Sequence, residues 1–242
     1  MKGALFITGT GTDVGKTVAT GALLRALRTR GMNAATMKPV QTGADSSGAP
    51  DLYVHWEAAE WTPPAGQHRD MAPYLFRHAC SPHLAAKETG RTVDIATIRR
   101  AAERLMEAYD ALLIEGAGGL LVPLNEQHTM RDLIVSLECP VLLVAPTGLG
   151  TINHTLLTIE ALRAKNIPIA GVLYSQLRRP ADQDIETDNP GTIERISGVP
   201  TLGVLRYRAR PNWKAWSREI DGIDTIMSVF PNGTPAVTEA AP

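Results

Sequence analysis

A chain of 242 residues with 44% hydrophobic and 20% charged side chains can bury a sizeable core and has the composition of an ordinary globular protein. Its 24 Lys+Arg against 25 Asp+Glu leave a formal net charge of −1, which excludes a global field that recruits nucleic acid or an anionic membrane surface. Two cysteines, Cys80 and Cys139, lie too far apart for metal-ligand or redox spacing, so both read as buried or incidental thiols of a reducing compartment. Residues 1–8 hold no long apolar h-region or cleavage site, and no stretch approaches the ~20 apolar residues of a membrane span, so the expected location is the cytoplasm.

The first apolar run, residues 4–8, leads into Gly9-Thr-Gly-Thr-Asp-Val-Gly-Lys-Thr17. Residues 17–30 then follow a helical period, with Ala19, Leu23 and Leu27 on one face, Val18, Ala22 and Ala26 beside it, and a stop at Gly31. A strand, a glycine-rich turn and a helix N-terminus make an anion site, because unpaired backbone N–H groups and the helix dipole both favour negative charge. The candidate nucleotide contacts here are Thr12, Asp13, Val14, Gly15, Lys16, Thr17 and Val18. Lys16 is expected at the β/γ-phosphates and the Thr17 hydroxyl on Mg²⁺. The usual loop has four residues between its first glycine and Gly-Lys. Here Thr10 stands where that glycine belongs and Gly9 lies one step earlier, so the loop is a lengthened variant.

A second strand over 34–38 ends in Lys38-Pro-Val-Gln-Thr-Gly43. Lys38 reads as a second cation for a transferring phosphoryl group, or as a solvated strand-end lysine. Residues 40–80 are rich in Pro, Gly, His and Trp, with one short helix after Asp51; by itself Asp51 reads as an N-cap rather than a metal ligand. A helix over 94–109, capped by Asp94, precedes a strand over 111–115 that closes in Glu115-Gly-Ala-Gly-Gly119. Glu115 faces the same crevice as Lys16, as a Mg²⁺ ligand or as the partner of that lysine.

A short helix over 129–137 is followed by a strand over 141–145 and the turn Thr147-Gly-Leu-Gly150. The helix over 151–165 repeats Ile152, Leu156, Ile159 and Leu162, so this turn offers backbone donors to a second anion such as a carboxylate. His154, beside Ile152 and Leu156, reads as a packing residue rather than a base. A strand over 169–174, a helix over 188–197 with an irregularity at Pro190-Gly191, and a strand over 201–205 complete the regular part. From Pro211 onward no periodicity is visible, and residues from about 230 to 242 are expected to be a mobile tail. No repeat or linker divides the chain, which reads as a single domain over 1–242.

Repeated strand–helix alternation predicts an α/β fold, a doubly wound and mostly parallel sheet with helices on both faces, of the P-loop NTPase type. Ligands of such sheets bind outside the carboxyl ends of the strands, where four of the polar and glycine-rich turns fall.

Taken in order and spacing, the loop at 9–17, Lys38-Pro-Val-Gln-Thr-Gly43, Ser81-Pro-His83, Glu115-Gly-Ala-Gly-Gly119 and Gly148-Leu-Gly-Thr-Ile-Asn-His154 resemble the ATP-dependent dethiobiotin synthetases over residues 3–205. The resemblance implies that 7,8-diaminononanoate, CO₂ (from bicarbonate) and Mg·ATP give dethiobiotin, ADP and phosphate. It also implies that Lys16 and Lys38 are catalytic, with Lys38 beside a carbamate and the γ-phosphate. Thr17, Asp51 and Glu115 would surround Mg²⁺, Gly116, Ala117 and Gly118 would join the nucleotide contacts, and Thr42 would touch substrate. Gly150, Thr151, Ile152 and Asn153 would receive the substrate carboxylate from the other subunit of a homodimer with shared active sites. At the base end, Ser175 and Gln176 stand where some members carry Asn-Asp, and Arg206 and Tyr207 replace a Pro-containing turn. These four are the candidate base contacts, and base selectivity is where a departure is expected. A substrate-contacting tyrosine of some members has no clear counterpart near Asp188.

Two rivals fit less well. A cobyrinate-type amidating synthetase needs a glutaminase domain that the sequence lacks. A partition-type ATPase switch carries a lysine inside the loop ahead of Gly-Lys, and residues 9–14 contain none.

Overall fold

A computed structural model describes residues 3–45, 48–176 and 178–231. In its first half the chain forms β1 (Ala4–Gly9), α1 (Lys16–Thr29), β2 (Ala34–Met37), β3 (Val40–Thr42), α2 (Pro50–Ala58), a 3-10 turn (Ala65–Gln67), α3 (His68–Met71), β4 (Tyr74–Phe76), α4 (Pro82–Glu88) and α5 (Ile95–Ala108). The second half forms β5 (Ala111–Glu115), α6 (Met130–Leu137), β6 (Val141–Pro146), α7 (Thr151–Arg163), β7 (Ile169–Ser175), α8 (Gln183–Ser197), β8 (Thr201–Leu205), α9 (Trp213–Arg218) and α10 (Ile223–Met227).

Six strands make one sheet in the order β2-β5-β1-β6-β7-β8, and all five pairings are parallel. Its strands are mostly apolar because both faces are covered. β6 shows this residue by residue. Leu142 and Val144 enter the large core that also holds β1 and α1, while Leu143 and Ala145 enter a smaller one with Ile159 of α7 and Ile193 of α8. Alternate side chains of a strand point to opposite faces, so helices must lie on both sides. β1 sits between β5 and β6, and the strand order reverses there. The carboxyl end of β1 is therefore the crevice where such sheets take ligands.

The structure corrects the reading of the less regular segments. Residues 40–80 hold a small parallel sheet of β3 and β4 besides α2, too short to register as a periodic pattern. Asp51 is not the cap of α2: Ala49 is, Pro50 takes the first turn, and Asp51 follows it. Helix α8 starts five residues before the expected 188, because the Asp182 carboxylate caps it by accepting from the N–H groups of Asp184 and Ile185. Pro190 lies inside α8 without ending it. After Pro211 the chain forms α9, capped by Asn212, and α10; Trp216 and Phe230 are buried. Phe230 thus belongs to the core rather than to the expected tail, and 232–242 lie outside the described residues. His154 is exposed, not packed. Cys139 is buried, and Cys80 is a half-buried free thiol. Among the described residues no helix is long and apolar enough to cross a membrane.

Candidate active site

The loop between β1 and α1 is shaped by glycine at both ends. A Cβ at Gly9 would stand 2.6 Å from Val14 Cγ2, so the turn closes only without one. Gly15 caps α1 with φ 95°, a left-handed conformation, and no side chain caps the helix. The first N–H groups of α1 are thereby left for an anion. The Lys16 ammonium is folded back over the loop, donating to the Gly11 carbonyl at 2.7 Å. Burial, and to a lesser extent the neighbouring Lys38, pulls its pKa down to about 8 against the raising influence of Glu115 and Asp51.

Two neighbouring strand ends bring the other charges to the same place. Lys38 leaves β2 and Glu115 closes β5, and Lys38 Nζ lies 2.6 Å from Glu115 Oε1. The same ammonium lies 2.5 Å from Asp51 Oδ2 on α2 and donates to the Gly116 carbonyl at 3.3 Å. The Thr17 hydroxyl donates to Glu115 Oε1 at 3.0 Å, and His55 Nε2 meets Glu115 Oε2 at 2.7 Å. Glu115 is 1% exposed and Lys38 4%. Burial alone would raise the Glu115 pKa, but the Lys38 charge and the His55 hydrogen bond outweigh it and hold the carboxyl well below the usual range. For Lys38 burial is likewise outweighed, by the Glu115 and Asp51 carboxylates, and its pKa is raised. The pair is therefore ionised, and the solvated strand-end reading of Lys38 is excluded.

These groups line a cavity of about 790 Å³. Thr12, Asp13, Gly15, Lys16, Thr17, Val18, Lys38, Thr42, Asp51, Glu115, Ala117 and Gly118 all face it. Val14 instead packs its side chain over Gly9, and Gly116 contributes its carbonyl to Lys38. Hydroxyl and carboxylate oxygens of Thr17, Asp51 and Glu115 are the hard donors that Mg²⁺ takes. An ammonium already bridges the two carboxylates, so positive charge is favoured at that point; the residues fit the ion.

The remaining expected residues stand apart from this cavity. At the N-terminus of α7, Gly150 repeats the device of Gly15, with φ 90° and no side-chain cap. The turn before it is tied to α8: Thr147 Oγ1 donates to Glu186 Oε2 at 2.5 Å, and Asn189 Nδ2 to the Thr147 carbonyl at 2.7 Å. Thr151 is buried and its hydroxyl shares a hydrogen bond with Thr155, while Ile152 is half-buried and Asn153 exposed. At the ends of β7 and β8, Ser175 is buried, Gln176 half-buried, and Arg206 and Tyr207 exposed. The Tyr207 N–H donates to Gln176 Oε1 at 3.2 Å and the Gln176 N–H to the Leu205 carbonyl at 2.9 Å.

Sequence reasoning missed His55, although its spacing of four from Asp51 puts both on one face of α2. It also left Gln41, Cys80 and Ser81 out of the site, and all three line the cavity. Ser81 precedes α4, and its segment reaches the cavity through the β4–α4 turn, which no periodicity marks.

The chain matches the family model described as an AAA domain over residues 3–214. It is 44% identical over 205 residues to the ATP-dependent dethiobiotin synthetase BioD of Halalkalibacterium halodurans, covering 84% of each protein. The enzyme of the same name from Anaeromyxobacter dehalogenans is 41% identical over 84% of this chain and 89% of its own. That from Brachyspira hyodysenteriae is 34% identical over 85% and 92%. Among solved structures, a ParA family ATPase from Chlorobium tepidum superposes with a TM-score of 0.55 at 12% identity, covering 93% of both chains. The MinC:MinD cell division complex of Aquifex aeolicus gives 0.51 at 16% identity, covering 91% of this chain and 87% of that one. The structural likeness fixes the fold alone, while the sequence identities reach further: the chain belongs to the ATP-dependent dethiobiotin synthetases.

Proposed function

We propose that the cavity at the ends of β1, β2 and β5 closes the ureido ring of dethiobiotin from 7,8-diaminononanoate, CO₂ and ATP. The observation that carries this reading is the buried Lys38, held at 2.5 and 2.6 Å between two carboxylates beside a phosphate loop. A nucleotide switch needs no second fixed cation at that point; a reaction passing through anionic carbonyl intermediates does.

The steps balance without a protein nucleophile. One amine adds to CO₂, forming an N–C bond and losing a proton, to give a carbamate. A carbamate oxygen attacks the γ-phosphorus of ATP and ADP leaves, giving a carbamic–phosphoric anhydride. The second amine then attacks the carbonyl carbon, and phosphate departs with the carbamate oxygen. Attack on CO₂ requires a neutral amine, and Lys16 and Lys38 disfavour a further cation nearby, which lowers the amine pKa.

Lys16 and the N–H groups of the loop, from Thr12 to Val18, bind the β- and γ-phosphates. Lys38 sits against the carbamate and the transferring phosphoryl group, and Thr42 on the cavity wall contacts the substrate. Thr17, Asp51 and Glu115 would hold Mg²⁺, which supplies charge neutralisation to the triphosphate. Ala117 and Gly118 line the nucleotide side, and Ser175, Gln176, Arg206 and Tyr207 would flank the base. The N–H groups of Gly150, Ile152 and Asn153, beside that of Thr151, which donates to the Gly148 carbonyl at 3.2 Å, suit the carboxylate of diaminononanoate, but these residues do not line the cavity of their own chain. A homodimer in which each α7 completes the partner's site resolves this. Leu121 and Leu157, 56% and 55% exposed, line one cleft, and Leu149 beside Gly150 is 92% exposed, apolar groups that such a contact would cover. The two free thiols suit a reducing compartment, the cytoplasm.

The test is incubation with diaminononanoate, ¹³C-bicarbonate, Mg²⁺ and ATP, followed by mass spectrometry. The expected product is a cyclic urea carrying the label in its carbonyl. ATP hydrolysis without that product would sink the reading in favour of a nucleotide switch.

A further inference from the structure

Glu115 presents its two oxygens to different surroundings. Oε1 faces the loop and takes the Lys38 ammonium and the Thr17 hydroxyl. Oε2 meets a different partner, His55 Nε2 at 2.7 Å. His55 is 0% exposed, one turn deeper on α2 than Asp51. Its other ring nitrogen, Nδ1, is buried and has no hydrogen-bond partner. A proton on Nδ1 would leave an orphan donor in the core, whereas a bare lone pair there costs less. The ring proton therefore belongs on Nε2, where it is donated to Glu115.

We infer that His55 is a positioning residue: its Nε2–H holds Glu115 in the rotamer that offers Oε1 to the metal of the nucleotide site. The inference rests on the proposed role of Glu115 as a Mg²⁺ ligand. Its physical basis is that a ligating carboxylate is oriented by the hydrogen bonds on its far side. Without that bond, Oε2 would be a charged acceptor with no partner in a dry place, and the carboxylate would turn to share Lys38 through both oxygens. The same bond ties α2 to β5. It thus sets the spacing between Asp51 and Glu115, the two carboxylates expected on the ion. Thr17, on α1, has no bond to His55 and meets Glu115 through the other oxygen, Oε1.

The test reads metal binding without turnover. Mn²⁺ is titrated into full-length protein saturated with ADP, and the free ion is followed by EPR; ADP affinity without metal is measured in parallel. His55→Leu is expected to weaken Mn²⁺ by about 10–100-fold, the usual cost of losing a ligand's outer partner. Metal-free ADP affinity should stay within about threefold, less than one hydrogen bond is worth. His55→Gln, which keeps an N–H donor at similar reach, should recover most of the loss. Wild-type Mn²⁺ affinity in folded His55→Leu would overturn the inference. So would equal losses in the Leu and Gln variants, or a parallel loss of metal-free ADP binding, since each marks a packing role only. If the Leu variant does not fold, ¹⁵N NMR of the native imidazole decides: Nε2 protonated and Nδ1 bare supports the inference, and the reverse tautomer contradicts it. No arm uses diaminononanoate, so failure of the ring-closing reading leaves this result standing by itself.

Discussion

At one end of the crevice, the side chains of Lys16, Lys38 and Glu115 are at most 6% exposed and bond to one another or to the loop. At the other, beyond β7 and β8, Arg206 and Tyr207 are exposed, and the contacts that shape the turn pair their backbone groups with side chains from elsewhere, such as the Arg206 N–H donating to Glu219 Oε2 at 3.0 Å. Tyr207 and Gln176 are joined by a peptide N–H, the next turn by the Arg206 carbonyl, which accepts from Trp216 Nε1 at 2.8 Å. The difference concerns what a substitution can change. In a buried charge cluster each side chain is the partner of another, so removing one leaves an uncompensated charge. At the turn the Arg206 and Tyr207 side chains take no part in these bonds, so those two can vary while the path of the chain stays.

Three measurements sharpen or break that contrast. The largest effect is expected from Lys38→Ala, which should lower turnover by about 10²–10³-fold, the range found when one preorganised charge donor is removed. Nucleotide affinity, carried by Lys16 and the loop, should hold within about threefold, less than a single hydrogen bond. Steady-state rates and a direct nucleotide titration check both, and unchanged turnover would mean that the buried cluster is structural.

A middle-sized effect follows from Lys16. Its pKa of about 8 means that the ammonium is charged below that pH and loses its proton above it. Anionic phosphates favour the charged form, so ATP affinity should be flat up to pH 8 and fall by up to about tenfold per unit above it. The stability contribution has the opposite sign. The folded-state pKa lies below the unfolded one, so the cost of burying the charge is present below pH 8 and fades as pH rises from there toward 10.5. Affinity titrations and thermal melts from pH 7 to 10 should therefore move in opposite directions; parallel movement would contradict the assignment.

The smallest effect is expected at the proposed base contacts. Rates with ATP, CTP and GTP at equal concentration should lie within about tenfold, the worth of one hydrogen bond of about 1.5 kcal/mol. A hundredfold preference for ATP would mean that Ser175, Gln176 or the turn at Arg206 reads the base after all.

The strands of the main sheet were legible because full burial on both faces writes them as unbroken apolar runs, and 111–115 and 201–205 match to the residue. The phosphate loop was legible because glycines at 9 and 15 answer a local steric demand. Asp51 was not, since a carboxylate near a helix start has the same local signature whether it caps the helix or reaches across to Lys38. His55 was hidden for a related reason: its partner is 60 residues away, and only the fold brings α2 over β5. The ends of β7 and β8 resisted because Arg206 and Tyr207 are held through their own backbone groups by the side chains of Gln176, Trp216 and Glu219, partners that only the fold brings near. The turn before α7 lies between these cases. Its glycine at the helix start could be read, but its bonds from Thr147 to Glu186 and from Asn189 to Thr147 could not.

The central claim is that a carbamate oxygen, rather than water, takes the γ-phosphoryl group over Lys38. It is tested by mixing the protein, diaminononanoate, Mg²⁺ and ATP in ordinary water with freshly dissolved C¹⁸O₂, and quenching before the label exchanges with solvent. The account predicts that the inorganic phosphate released carries an ¹⁸O atom for each dethiobiotin formed. Unlabelled phosphate accompanying the same product would contradict it.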